Sequence, residues 1–526
     1  MNSSANPTTE GGRPRRRVFL HRLLIVLAWT VTLIALFYAE ENWRGRRAWN
    51  RYRLQLENKG AQLDLNAFIP KSIPDDQNFA ATPFVKSWFL KESMGPGDKL
   101  WMDKFSAASS LVNSPSSKKG SRQFLDLGAW AKAFEAVSVG QTNPPQNFKP
   151  EELSPRSRSN AWPAILEGLK SSQVHLTELA DASHKPFCRY PVVYDLENPW
   201  AILLPHLAQI KRTLERLQLE ACAELAAAQS DKALEDVNLM LFMTDSIKDE
   251  PFLVGFLVRV SSLQMAVQPV WEGLAEHRWS DSELQKLENR FLQYNFFQDL
   301  QFPLGAERAA ALLTCDLLAR GKYTLAMLAS PSPETGFGEP PPIAGLLPKG
   351  WYGQEKINYC RLSEMELDGT IDPVRKRVSP QQVKAGADLM MRELAGSAGS
   401  GKAFKAIVFH HRLIAALLLP ALEKVSRKAA EAQTSADQTA LACALERYRL
   451  AQGHFPEKLE ALVPQFVAEL PHDVFTGESY KYRRTEDGQF LLYSVGWNEK
   501  DDSGMPGKAL FDEQQGDWVW SFPAPK

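Results

Sequence analysis

Hydrophobic and polar positions follow three patterns along this chain, and each predicts a different element. The first is an unbroken apolar run, LLIVLAWTVTLIALFYA at residues 23–39, at the short end of what spans about 30 Å of hydrocarbon as a helix. Its polar interruptions are Thr30 and Thr32, whose hydroxyls can bond back to the helix's own carbonyls. Trp29 lies inside the run, and Tyr38 and Trp43 stand at its C-terminal edge, where amphipathic rings favour the membrane interface. The run predicts a transmembrane helix. A cleavable signal would need a small residue where Phe37 stands, three positions before a cut at Glu40, so an uncleaved signal anchor is expected. Arginines flank both sides, at 13, 15, 16, 17 and 22 before it and 44, 46, 47, 51 and 53 after it. The tighter N-terminal cluster favours a cytoplasmic N-terminus, with the bulk of the chain outside the inner membrane. Residues 406–422 form a second apolar stretch, but His410, His411 and Arg412 interrupt it and leave too short a run to cross.

The second pattern is the helical period of 3.6. Residues 40–60 read as an arginine-rich helical stem, and proline-punctuated chain follows to about residue 82. Ser- and Pro-rich stretches at 106–121 and 142–160 read as linkers. From 198 to about 328 helix follows helix. Leu203, Leu207, Ile210, Leu214, Leu217 and Ala221 stack on one face. Ser230 is expected to cap a second helix through Leu234, Val237 and Leu241, and Pro251 separates it from a third with Leu253, Leu257, Val260, Val267, Trp271 and Leu274. Ser280 and Glu283 make a capping box ahead of Leu284, Leu287, Phe291 and Tyr294. Short connections force antiparallel neighbours. Successive hairpins of this kind resemble tetratricopeptide arrays and imply a helical bundle or solenoid, although no repeat period is visible. The PSPETGFGEPPP stretch in 331–350 marks a boundary or a long loop. Helix resumes at 379–394, breaks at the Gly/Ser run 396–401 and returns over 403–452.

Composition narrows the function classes. With 526 residues, 44% hydrophobic positions and a formal net charge of -1, the chain has core-forming material for several domains and no electrostatic footprint for nucleic acid. Cys188, Cys222, Cys315, Cys360 and Cys443 lie far apart without C-x-x-C or zinc-ligand spacing, and read as small buried residues. Gly396, Gly401 and Lys402 have the spacing of a phosphate-binding loop. Ala403 replaces the magnesium-binding hydroxyl, and the preceding QQVKAGADLMMRELA reads as helix where a strand is needed. His410 and His411 point about 100° apart on a helix with no third ligand in view. The pairs Asp75/Asp76 and Asp249/Glu250 sit beside prolines and read as turn or helix-start residues. No catalytic motif is present.

The third pattern, period-two alternation, appears at 480–485 and 489–494, joined through Asp487-Gly488, a strong hairpin signal. Before it, Leu441, Leu445 and Tyr448 line a helix that Gly453 can end in left-handed geometry, and Pro456 restarts a short helix with Leu459 and Leu462. The order is Y-x-L-x-x-G-x-[FY]-P, then D-x-[FW]-x-G-x-x-Y-x-Y, then a hairpin ending S-x-G. It is carried by Tyr448, Leu450, Gly453, Phe455, Pro456, Asp473, Phe475, Gly477, Tyr480, Tyr482, Ser494 and Gly496. This segment, with the apolar-to-basic helix before it (413–504 in all), resembles the globular domain of the type II secretion pseudopilins. A prepilin cleavage signal does not precede it, so pilin-type processing is not expected. The resemblance implies a calcium-binding loop after S-x-G. Asn498, Asp501, Asp502 and Asp517 are the candidate ligands in that loop, with Asp512 beside them. The family's D-G and G-G positions read Trp497-Asn498 and Asp502-Ser503 here, and as an EF-hand the loop fails at Leu510.

The expected fold class is mainly α: an N-terminal transmembrane helix, a helical bundle or solenoid, and a small α+β pseudopilin-like domain with a β-hairpin. The layout is a basic tail (1–22), anchor (23–39), stem and irregular region (40–197), helical hairpins (198–330), a Pro/Gly-rich loop with a helix and a Gly/Ser break (331–402), and a long helix with the α+β domain (403–526). In layout the whole chain is similar to bacterial single-pass membrane proteins. The functional expectation is a non-catalytic envelope scaffold, anchored in the lipid bilayer and partnered by envelope proteins, linked to a secretion or pilus-type assembly. Two alternatives stand beside it: an enzyme whose site is built from dispersed residues of the helical region, and a calcium-binding tip.

Overall fold

The computed structural model describes residues 13–90, 105–112, 120–140, 155–324, 327–328, 347–367, 369–395, 410–419 and 423–522. The phosphate-loop candidates Gly396, Gly401, Lys402 and Ala403 lie outside them. The chain is mainly helical and divides into two compact units, one of Met1–Ala61, Ala311–Arg361 and Ser397–Leu417, the other of Gln62–Ala310, Leu362–Gly396 and Leu418–Lys526.

In the smaller unit the apolar run and the stem form one helix, α1 (Arg13–Asn58). Every residue from 18 to 37 is exposed, and the helix is long and apolar enough to cross a membrane. Thr30 and Thr32 each donate their hydroxyl to the carbonyl four residues back, Val26 and Ala28, at 2.8 Å, which hides the hydroxyls within an apolar surface. Beyond the run α1 acquires neighbours. Gly45 is buried, and a Cβ there would run into the Gly350 carbonyl at the start of a second helix (Lys349–Leu367), while a Cβ at Gly350 would strike Glu41 and Asn42. The two backbones touch because neither carries a side chain at the crossing. Asn42 accepts the Gly350 N–H at 2.8 Å, Glu41 accepts the Trp351 indole N–H at 3.0 Å, and Lys356 lies over the Trp49 ring while pairing with Asp316 at 2.6 Å. Glu355 accepts the Leu413 and Ile414 amides at 3.1 and 3.0 Å at the start of a short helix (Leu413–Leu418).

The larger unit begins with the proline-punctuated segment, which folds as 3-10 turns rather than running free. Asp64 and Asn78 cap two of them, and Leu65, Phe68 and Phe79 are buried. Helices that follow include α2 (Pro83–Ser87), α3 (Leu127–Ser138), α4 (Pro155–Leu169) and α5 (Gln173–Ala182), with a further helical segment at 105–111. The predicted helical hairpins are α6 (Pro205–Ala226), α7 (Ser230–Ser246), α8 (Leu253–Ala275), α9 (Asp281–Leu292) and α10 (Phe296–Ala319). Helices α6, α7 and α8 pack mutually, and α4 packs on both α3 and α6. The capping box of Ser280 and Glu283 is present at α9. Three expectations differ, one being Leu257 of α8, which the sequence pattern places on the apolar stripe and which is exposed. Leu203 is exposed because Pro205 starts α6 after it, and Ser230 opens α7 without capping it, that place falling to Gln229. Helix α8 is also long and apolar enough to cross a membrane, but most of it is buried among its neighbours.

The helices after these are the one at Lys349–Leu367, which is α11, then α12 (Pro380–Ala395), the short helix at Leu413–Leu418, which is α13, and α14 (Glu423–Gln452). Helix α12 follows a two-residue hairpin, β1 (Ile371–Asp372) and β2 (Arg377–Val378), which the sequence did not signal. Helix α14 packs against α8 and α9. It is buried round its circumference: Ala429, Ala436 and Ala440 are enclosed, and so are Gln433, Asp437 and Gln438. Alanine lets the neighbours approach, and the polar groups are bonded. Gln433 accepts the Phe296 amide at 2.9 Å and donates to the Tyr294 carbonyl at 3.2 Å and to Asp437 at 2.9 Å; Asp437 in turn accepts the Tyr480 hydroxyl at 3.2 Å. Gly453 ends the helix at φ +81°. A 3-10 turn at Leu459–Leu462 and an antiparallel sheet follow, ordered β3 (Lys481–Arg484), β4 (Phe490–Ser494), β5 (Trp518–Trp520). Gly488 turns the first hairpin at φ +80°.

Two predictions follow from this packing. Gly45→Leu is expected to destabilise the smaller unit by roughly 1–3 kcal/mol or more through overpacking, whereas Arg46→Ala, on the exposed side, changes stability by under about 0.5 kcal/mol. Thermal unfolding and limited proteolysis in detergent report both, and equal behaviour of the two variants would dissolve the tight crossing. The second concerns pH. Burial pushes Asp437, Glu307 and Glu355 each up to about 7, so the folded chain holds protons that the unfolded chain has released. Stability should therefore fall as pH rises from about 4 to about 7. Glu446, held low against its burial by hydrogen bonds from Arg449 and His277, acts only below that window. The unfolding midpoint is expected to be higher at pH 5.5 than at pH 8, with the gap narrowed in Asp437→Asn; a midpoint that rises with pH would mean that these carboxylates are ionised in the fold.

Candidate functional site

Two places gather carboxylates, one signalled by the sequence and one not. In the first, the acidic loop between β4 and β5, the aspartates are occupied by the loop's own donors. Asp517, 1% exposed, accepts the amides of Asp502 at 3.2 Å and Gly504 at 2.6 Å. Asp502 accepts the Gly516 amide at 3.0 Å and lies 3.5 Å from the Asn498 side-chain amide. Asp501 accepts the Ser503 amide at 2.9 Å and the Tyr493 hydroxyl at 3.1 Å. Asp512 accepts from Lys508, Gln514 and Gln515, which outweigh its desolvation and hold it below the usual carboxylate range. Gly504 and Gly516 make the required left-handed turns at φ +81° and +76°. Asn498, Asp501, Asp502 and Asp517 thus share one loop and brace it. They do not form a group of three acidic ligand atoms within 4.8 Å.

Such a group exists elsewhere. Glu220 and Glu224 on α6 and Asp236 on α7 bring one carboxylate oxygen each to within 4.8 Å of one another, and among the described residues this is the group that meets that test. The geometry follows from helix spacing. Arg216, Glu220 and Glu224 recur every fourth residue and so lie along one stripe of α6, and the short α6–α7 turn brings Asp236 opposite. Gln173, at the start of α5, donates to one oxygen of Glu220, and Arg216 donates to the Leu169 carbonyl at the end of α4. Glu220 and Glu224 are 4% and 8% exposed. Glu220 Oε2, Glu224 Oε2 and Asp236 Oδ2 are buried with no hydrogen-bond partner.

The electrostatics are correspondingly unbalanced. Burial raises Glu220 against the pull of Arg216 and Gln173. Burial and then the Glu220 charge push Glu224 up to about 8, and burial with both glutamates drives Asp236 well above its ordinary value. Burial lowers Arg216 to about 10. A site of this kind can take up protons or a hard cation.

The other residues singled out by sequence are separated. Asp75 pairs with Lys86 at 2.7 Å, and Glu250 faces the buried His206 at 3.0 Å. The carbonyls of His410 and His411 receive the Asn358 amide at 2.9 and 2.8 Å, and the His411 ring lies against Trp351. Four of the five cysteines are buried, and Cys188 is half-buried. Sequence reasoning missed Glu220, Glu224 and Asp236 because charged residues beside an apolar stripe read as a solvated face. The available signal was their four-residue recurrence on a helix enclosed by neighbours. No family model, characterised protein or solved structure matches the chain.

The bracing role of the acidic loop is directly testable. Asp517→Ala strands two amides and is expected to cost about 1–3 kcal/mol, read as a lower unfolding midpoint. Unchanged stability would mean that the loop is held by other contacts.

Proposed function

We infer that this chain is a single-pass, membrane-anchored scaffold of the cell envelope, non-catalytic, that presents its C-terminal α+β part to a secretion or pilus-type assembly. The observation that carries the reading is the fully exposed apolar stretch at 18–37 of α1, continuous with a segment docked on α11. An apolar surface of this extent has lipid as its natural solvent. The N-terminus faces the cytoplasm and the chain beyond the anchor lies outside it. The pseudopilin-like order of α14, a short turn and an antiparallel sheet supports the assembly link, and the sheet offers β3 as an edge strand with exposed Arg483. An exposed edge can pair with a partner strand.

The test has two arms. In membranes from cells expressing the full chain, detergent but not alkaline carbonate should release the protein, and protease added outside the inner membrane should digest the units. Release by carbonate would sink the anchor, and protection from protease would reverse the topology. A photo-crosslinker at Arg483 should trap a discrete envelope protein; crosslinks absent at Arg483 yet present elsewhere on the surface would remove the docking role of the sheet.

A further inference from the structure

We propose that Glu220, Glu224 and Asp236 bind a divalent cation between α6 and α7, a site separate from both the anchor and the acidic loop. Two independent observations meet there. The first is convergence: three carboxylate oxygens from two helices lie within 4.8 Å of one another. That spacing suits a single ion, since oxygens on opposite sides of calcium at 2.3–2.6 Å are separated by about 5 Å and those around smaller ions by about 4 Å. The second is an unmet bonding need. Glu224 is 8% exposed, its Oε2 has no hydrogen-bond partner, and one of its carboxylate oxygens belongs to the group. Buried carboxylate oxygens without partners are rare because their desolvation is costly.

The rest of the larger unit sharpens the contrast. Glu272 receives Arg158 at 2.5 Å, Asp299 receives Arg259 at 2.8 Å and Lys248 at 3.0 Å, and Glu288 receives Arg447 at 2.7 Å. Those buried carboxylates have cations of their own. In the α6–α7 group three carboxylates share Arg216, whose guanidinium donates to the Leu169 carbonyl, while the charge of Lys232 acting on Glu224 is offset by Asp231 and Glu235. Fully ionised, the group is two charges negative, which one divalent ion neutralises. An all-oxygen donor set selects hard ions, calcium, magnesium or manganese, over zinc or copper. Gln173 donates to one oxygen of Glu220 and leaves the other without a hydrogen-bond partner. The ion would tie α6 to α7 within the body of the protein.

The experiment uses the full chain in detergent, stripped with chelator and then given Ca2+, Mg2+ or Mn2+ separately. At saturation at least one ion should raise the unfolding midpoint by on the order of 3–5 °C, and Mn2+ should give a bound-ion electron paramagnetic resonance signal. Glu224→Gln and Asp236→Asn should lose the shift and the signal, whereas Asp501→Asn, in the acidic loop, should keep both. Glu224→Asp, which keeps the charge but withdraws it, should weaken binding at least tenfold and covers the case in which a neutral variant does not fold. Retention of the full shift in the α6–α7 variants would place the ion elsewhere. A wild-type chain with no shift and no bound Mn2+ would overturn the site and leave shared protons as the answer to its charge.

Discussion

The burial of α14 on every side is the constraint on which the larger unit depends. A helix enclosed in this way buries polar side chains that need partners, and Gln433 and Asp437 find theirs by linking distant parts of the chain. Gln433 engages the backbone at Tyr294 and Phe296, where α9 gives way to α10, and Asp437 receives Tyr480 from the edge of β3. One amide and one carboxylate, a single helical turn apart, therefore fasten the helical layers to the sheet. Gln438 adds a bond to the Trp518 carbonyl of β5 at 2.8 Å. Loss of any one partner leaves a buried group bare, which costs more than a surface hydrogen bond contributes. The C-terminal segment is thereby built into the larger unit through its helix, rather than carried as an appendage.

Much of this was readable from local rules, and the reason is that those rules act within a few residues. The capping box at Ser280, the left-handed stop at Gly453, the Asp487-Gly488 turn and the hydroxyl back-bonds of Thr30 and Thr32 each involve neighbours in sequence. The apolar stripes of α6 to α9 were legible because burial imposes the helical period. What escaped notice depends on tertiary neighbours. Gln433, Asp437 and Gln438 look like the solvated face of an amphipathic helix until α8, α9 and the sheet close round them. Strand β5 is three residues long and separated from β4 by a loop, so its pairing of Val519 with Tyr493 has no local signature. Glu220 and Asp236 meet only because two helices turn back on one another.

Charge is distributed by the same logic. The Arg259 guanidinium, 2% exposed, is held between Asp245 and Asp299 and lies over the Phe296 ring; Arg158, also 2% exposed, is held by Glu272 and Glu276 beneath the Phe124 ring. In both, arginine's planar head meets carboxylates at its edge and an aromatic on its face, while Arg259 keeps its Nε buried without a hydrogen-bond partner. Such groups contribute little net stability over apolar packing but are intolerant of the loss of one partner. They fix which helix lies against which.

The glycine crossing of α1 also sets a height. Helical rise places Gly45 about 12 Å beyond Phe37, where the unbroken exposed stretch ends. If that stretch fills the hydrocarbon, the headgroup layer takes up roughly half of the distance, and the crossing stands just clear of the lipid. Because α1 is continuous through that layer, the smaller unit rides on a stiff shaft instead of a tether. Tilt or rotation of the anchor in the bilayer then becomes tilt or rotation of α11, with no flexible joint in which it can be lost.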